Sequence, residues 1–217
     1  MSWTFDLLFL AAESFKPLCE GATHSRDLAE RFFIESGFGG RRCDTLILDD
    51  VLTLPRSQLA IGAYPSIVIV SDPMHYFGTF REPNMSRLSN IRTFRTTQIL
   101  YVECAGVVNA FGYALLDSAG TVRRFAADAE HRVTANDGEL FNEEKPVFRQ
   151  SRRSSEDSIE FVIDDGAGRT GEVHEFELGD DLVFSVTARF FGIRYDQWTH
   201  DEPELTVFHV EQVDEQK

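Results

Sequence analysis

The stretch HEFELGDDLVFSVTARFFGIRY, residues 174–195, decides how the C-terminal third is built, because its apolar residues fit two periods. Counted by twos, Leu182, Phe184, Val186, Ala188 and Phe190 alternate with Val183, Ser185, Thr187, Arg189 and Phe191, a strand pattern rich in β-branched and aromatic residues. Counted at the helical period, Leu182, Val183, Val186, Phe190 and Ile193 form one stripe. Periodicity leaves the two nearly level. Gly179-Asp180-Asp181 supplies a helix start, with an aspartate as cap and as favourable charge, and Gly192 supplies a stop. A helix is therefore expected over about 180–191, with 174–178 as an extended lead-in. Phe184 and Ala188 should then share a face distinct from that of Val183, Val186 and Phe190.

Upstream, residues 4–12 form a continuous apolar run of strand length, the pattern of a strand covered on both faces. Ser25 precedes a helical pattern in RDLAERFFIES, and Gly37, Gly39 and Gly40 follow as stop signals. Short strands are expected at 45–48 and 66–70, and a helix within 84–94. QILYVEC (98–104) and NAFGYALL (109–116) read as strands, and Asp117 to Gly120 as a turn into TVRRFAA. Residues 128–157 are polar and charge-mixed and read as a mobile loop insertion. IEFVIDDGAGRTG is a strand with a Gly-rich turn, 205–210 a last strand, and 211–217 an acidic tail. The expected fold class is α/β, a mixed α+β sheet with helices packed on it. A central β-hairpin and a C-terminal amphipathic helix complete a single compact domain over 1–217.

The chain has 217 residues, 42% hydrophobic and 26% charged, enough to bury a core and too apolar for disorder. Its formal charge of −15 argues against a nucleic-acid binder that works by neutralising phosphates. Acidity of this size keeps a protein soluble and suits a basic partner. Nineteen Phe against two Trp and five Tyr point to a core filled by aromatic bulk. Three widely spaced cysteines, Cys19, Cys43 and Cys104, support neither a disulfide framework nor a zinc ribbon, so a reducing cytoplasm is expected. The N-terminus lacks the basic start of a signal peptide and the length of a membrane helix, and Asp6 interrupts it.

No complete catalytic constellation is visible. GFGGRR (37–42) follows a helix instead of opening one, and DDGAGRTG (164–171) lacks the Lys-Ser/Thr of a phosphate loop, so both read as turns. Ser71, Asp72 and His75 follow a buried strand, where active groups are often placed, but the plain reading is an Asp-Pro turn. Cys104 reads as a small buried hydrophobe. The six histidines are isolated from one another, and EVHEFE reads as a solvated strand face. Glu143-Glu144 is expected on a surface loop, and Arg149, Arg152 and Arg153 offset local carboxylates.

The order of features resembles a bacterial domain family of unknown function, family 6928. The resemblance rests on Gly62, Tyr64 and Pro65 before a buried strand, on Gly120 followed by Arg123, and on Gly138, Glu139 and Phe141 with Glu143 or Glu144. It ends on Leu178, Gly179, Asp180 and Asp181 at the opening of the C-terminal helix. It spans most of residues 4–195 and supports the helical reading of 180–191. These are motifs of shape, and they imply no reaction. Where the family's central strand pair is associated with aromatic and His positions, this chain has Glu103 and Cys104.

Two functions are expected from this reading. The first is a cytosolic, non-enzymatic protein, accessory or immunity-type, that meets a basic protein partner through its acidic surface or associates with itself. The alternative is a small-molecule binder or hydrolase-like enzyme with a site at the C-terminal ends of the N-terminal strands. Candidate site residues are Asp72, His75, Glu103 and Arg123. No cofactor, metal, nucleic acid or membrane partner is expected.

Overall fold

The structure is a computed structural model that describes residues 4–12, 22–79, 81–92, 96–105, 110–127, 133–149, 151–155, 158–164, 170–174, 179–192, 194, 197 and 202–211. In chain order its elements begin with β1 (Thr4–Ala11), α1 (Arg26–Glu35), β2 (Gly39–Ile47), α2 (Leu48–Val51), β3 (Gln58–Ala63), β4 (Ile67–Ser71) and α3 (Met85–Ser89). A meander follows, β5 (Gln98–Ala105), β6 (Ala110–Asp117), β7 (Gly120–Ala127) and β8 (Val133–Gly138). Then come α4 (Lys145–Phe148), β9 (Ser151–Ser155), β10 (Ser158–Asp164), β11 (Thr170–His174), α5 (Gly179–Phe191) and β12 (Glu204–Glu211).

Nine strands form one sheet in the order β2-β12-β3-β4-β1-β5-β6-β7-β8, and β11-β10-β9 form a second of three. Every pairing in the large sheet is antiparallel. This overturns the α/β expectation: the fold is β-rich, with few and short helices. The reason lies in the apolar runs of β1 and β4. A run without alternation reports cover on both faces, and parallel sheets are only the commonest way to get it. Here helices cover an antiparallel sheet on both sides. Phe5, Leu7 and Phe9 pack with Leu48 and Val51 of α2 and with Leu182, Val183, Phe184 and Val186 of α5. Leu8 and Leu10 point the other way, into a core with Ala29, Phe32 and Phe33 of α1, Leu88 of α3 and Phe77.

The helix over 179–191 forms as expected, while residues 175–178 of the lead-in lie outside the described residues. In that helix Phe184 and Ala188 share a face apart from that of Val183 and Val186, as expected, but Phe184 is no less buried. Phe184 is buried in the same core as Val183 and Val186, and Thr187 is buried as well. The helix is covered on more than its sheet side, in part by the 141–148 segment: Arg189 pairs with Glu143 at 3.2 Å and lies over the Phe141 ring at 4.6 Å. Gly179 lets the first turn of α5 approach the sheet, because a Cβ there would stand 2.4 Å from the Phe111 ring. Gly179→Ala should therefore lower the unfolding free energy by about 2 kcal/mol, within the range for overpacked cores, as read from the urea midpoint.

Other expectations shift in detail. QLAIGA (58–63) is a strand, β3, that its small residues concealed, and the strand expected at 45–48 begins earlier, within GFGGRR. The polar stretch 128–157 is not simply a loop, because it contains β8, α4 and β9. As the outermost strand, β8 needs no two-sided apolar pattern, and its residues are mostly exposed. Gly138 closes β8 at φ 85°, with Val122 O 2.1 Å from where a Cβ would be, a conformation and contact open only to glycine. The acidic tail beyond Glu211 lies outside the described residues.

Candidate functional site

The site is set by strand register. Asp6 on β1 lies directly opposite Glu103 on β5, and on the other flank Leu7 pairs with Ser71, which puts Asp72 beside Asp6. The Asp72 N–H reaches Asp6 O at 3.5 Å. Side chains alternate between faces, so Asp6 shares the face of Leu8 and Leu10, Glu103 that of Ile99 and Tyr101, and Asp72 that of Val68 and Val70. Three carboxylates thus stand in a row across the ends of three adjacent strands, all on the α1 side. Adjacent strands lie about 4.8 Å apart, so the row spans about 10 Å.

The turn after β4 forms the opposite wall. The Phe77 N–H donates to Asp72 Oδ2 at 2.8 Å, the His75 N–H to Asp72 O at 3.0 Å, and Tyr101 Oη to Phe77 O at 2.8 Å. Phe77 is fully buried and anchors the turn among Phe32 and Phe38. His75 occupies the left-handed region at φ 55° and is exposed at the rim. Between turn and strands lies a small cleft, open to solvent and with about 20 Å³ of enclosed space, whose walls include Asp6, Asp72, His75, Tyr101 and Glu103.

The carboxylates have few partners. Asp72 is 5% exposed, and its Oδ1 is buried without a hydrogen bond. Burial raises the Asp72 carboxyl despite the Phe77 N–H, and burial raises Glu103 despite His75 and Arg81. Asp6 is raised to about 6, by burial first and then by repulsion from Glu103, with His75 opposing. Carboxyls this close titrate as a set, and the set keeps its protons to higher pH than free carboxyls do. Such groups can act as acid and base or receive a cationic or proton-donating ligand. Among the described residues, no three His, Cys, Asp or Glu side chains are placed to hold one metal ion.

Asp72, His75 and Glu103 therefore come together, joined by Asp6, which is not among the residues expected from sequence. A charged residue inside an apolar strand buried on both sides was the available signal, since such residues are seldom buried without a role. Arg123 does not join them. It sits on β7, facing the α5 side with Phe125. There it is fully buried against Glu144, with Nη2 to Oε1 at 2.7 Å and Nε to Oε2 at 3.1 Å. Its Nη1 donates to Asn136 Oδ1, Arg124 O and Asp137 O. Glu144 also accepts from the Tyr113 hydroxyl and from the Phe141 N–H. Burial alone would lower the Arg123 pKa, but hydrogen bonding to Glu144 outweighs it and keeps the guanidinium charged. The expectation of a surface loop fails for Glu144. Adjacent carboxylates divide here, Glu143 reaching out to Arg189 while Glu144 turns inward to the buried guanidinium of Arg123. This is a clamp fastening the 141–148 segment to the sheet.

No helix among the described residues is long and apolar enough to cross a membrane. Cys43 is an exposed thiol and Cys104 a buried one, the latter as expected for a small core hydrophobe. No curated protein and no solved structure matches the chain. A family model described as a family of unknown function, DUF6928, matches residues 20–211, covering the strands of the cleft from β4 onward, the Arg123–Glu144 clamp and α5. The match spans most of the sequence, and the chain belongs to this family, DUF6928.

Proposed function

We propose that the protein binds a small molecule in the cleft between β4, β1 and β5, with Asp6, Asp72 and Glu103 as its polar contacts and as the acid–base groups of a hydrolase-like activity. The observation that carries this reading is the meeting of three carboxylates and His75 on one concave surface, with Asp72 Oδ1 buried without a hydrogen bond. Strongly perturbed ionisable groups in a cleft mark functional sites more often than structural ones. The test is metabolite capture. Full-length protein and the Asp6→Asn/Glu103→Gln variant are incubated with a small-molecule extract, washed and analysed by mass spectrometry. Wild type should retain at least one compound that the variant does not, and identical profiles would sink the reading.

A second reading is contact with a basic protein partner. It is supported by the net charge of −15 and by the carboxylates gathered around α2, where Asp49 and Asp50 raise the Glu202 pKa together with its burial. The two surfaces are separate, so both readings can hold. Both place the protein in a bacterial cytoplasm, which the unpaired thiol of exposed Cys43 supports.

A further inference from the structure

We infer that the ligand of the cleft is an organic cation, an aliphatic ammonium or guanidinium, seated on Asp72 and flanked by Asp6 and Glu103. This rests on the small-molecule reading and names the chemistry of its ligand. Asp72 is 5% exposed, its Oδ2 accepts from the Phe77 N–H, and its Oδ1 is buried without a hydrogen bond, so the wall of the cleft holds an acceptor without a donor. A buried acceptor left unpaired is costly to the fold, and a ligand donor would recover that cost.

The charge around it has one predominant sign. Asp6 comes from β1, Asp72 and His75 from the turn after β4, Tyr101 and Glu103 from β5, and Arg81 from the following loop acts on Glu103 from a distance. Arg81 also donates to Thr134 Oγ1 at 3.1 Å. An anion would face three carboxylates, and a neutral ligand would leave their repulsion in place. A metal ion needs ligands converging on one point, whereas these stand in a row and form no such group. An ammonium or guanidinium offers several donors to acceptors side by side, and its alkyl part suits walls that include Leu8, Phe77 and Val102.

The experiment is amide NMR of the full chain at pH 7.5 with four probes of similar size: n-butylammonium, methylguanidinium, n-butanol and n-butyrate. The two cations should shift amides of residues 74–79 and 101–103 saturably. Binding should weaken at least tenfold in Asp72→Asn and in Asp6→Asn/Glu103→Gln, and should weaken in wild type as the pH is lowered through about 6, where protons compete. If butanol or butyrate shifts these amides while the cations do not, the cation inference fails and the small-molecule reading stands. If no probe moves them, both fail. Equal binding to wild type and to the folded variants, or displacement of butylammonium by equimolar magnesium, also overturns the inference.

Discussion

Glu144→Ala should lower the unfolding free energy by about 3–5 kcal/mol, the cost of leaving a buried charge without its partner. Arg123 and Glu144 side chains are each fully buried, so water cannot replace the lost carboxylate without opening the core. The Tyr113 hydroxyl and the Phe141 N–H lose their acceptor in the same step. Urea unfolding at pH 7 reads the change as a lower midpoint at constant slope. The triple variant Arg123→Met/Glu144→Leu/Tyr113→Phe separates a lost attraction from an exposed penalty. Removing every charged or hydroxyl member at once should restore at least half of the loss, because apolar replacements of buried ion pairs are often neutral or better. A Glu144→Ala protein within about 1 kcal/mol of wild type would refute the clamp.

That clamp also marks where the sequence is legible and where it is not. Glu144 follows Glu143 in a polar stretch, and no local pattern tells which of the two turns inward. The answer depends on Arg123, twenty-one residues earlier in the chain, and on a pairing that only the β7–β8 edge creates. Segment 180–191 is the opposite case. Its start signal at Gly179 and Asp180 is local chemistry, so its helical state could be read even where periodicity was level. Its burial could not be read, since cover by the 141–148 segment is tertiary. The large error, an α/β fold with a mixed sheet in place of a β-rich antiparallel one, has one physical cause. Residues such as Leu7 to Leu10 record how many faces of a strand are covered, and not the direction of its neighbours. The site falls between these cases. Asp72 and His75 are close in sequence and were legible as a pair, and Glu103 was legible as a charge in a strand. Asp6 joins them only through the registers of β1 with β4 and with β5.

Asp6→Asn should stabilise the protein by up to about 3 kcal/mol at pH 8 and change it little at pH 4. The sign follows from the protons. In the folded chain the Asp6 carboxyl is raised from 3.8 to about 6, so between those values the folded state holds a proton that the unfolded state has released. Stability from this group is present in full below pH 3.8 and is lost as the pH rises through about 6. Above that the folded protein must keep a partly buried carboxylate charged beside Glu103 and Asp72, and an amide of the same shape escapes this cost. Urea unfolding of wild type and variant from pH 4 to 8 reads the difference directly. Curves that stay parallel over the range would show that Asp6 carries no such strain. A diverging pair would mean that the fold retains a destabilising charge in the middle of its central strand. Such a residue makes sense where the carboxylate is used, because sites built for binding are commonly less stable than their apolar replacements. The same substitution that strengthens the fold should then abolish capture in the cleft, and the opposed effects distinguish a working carboxylate from a packing defect.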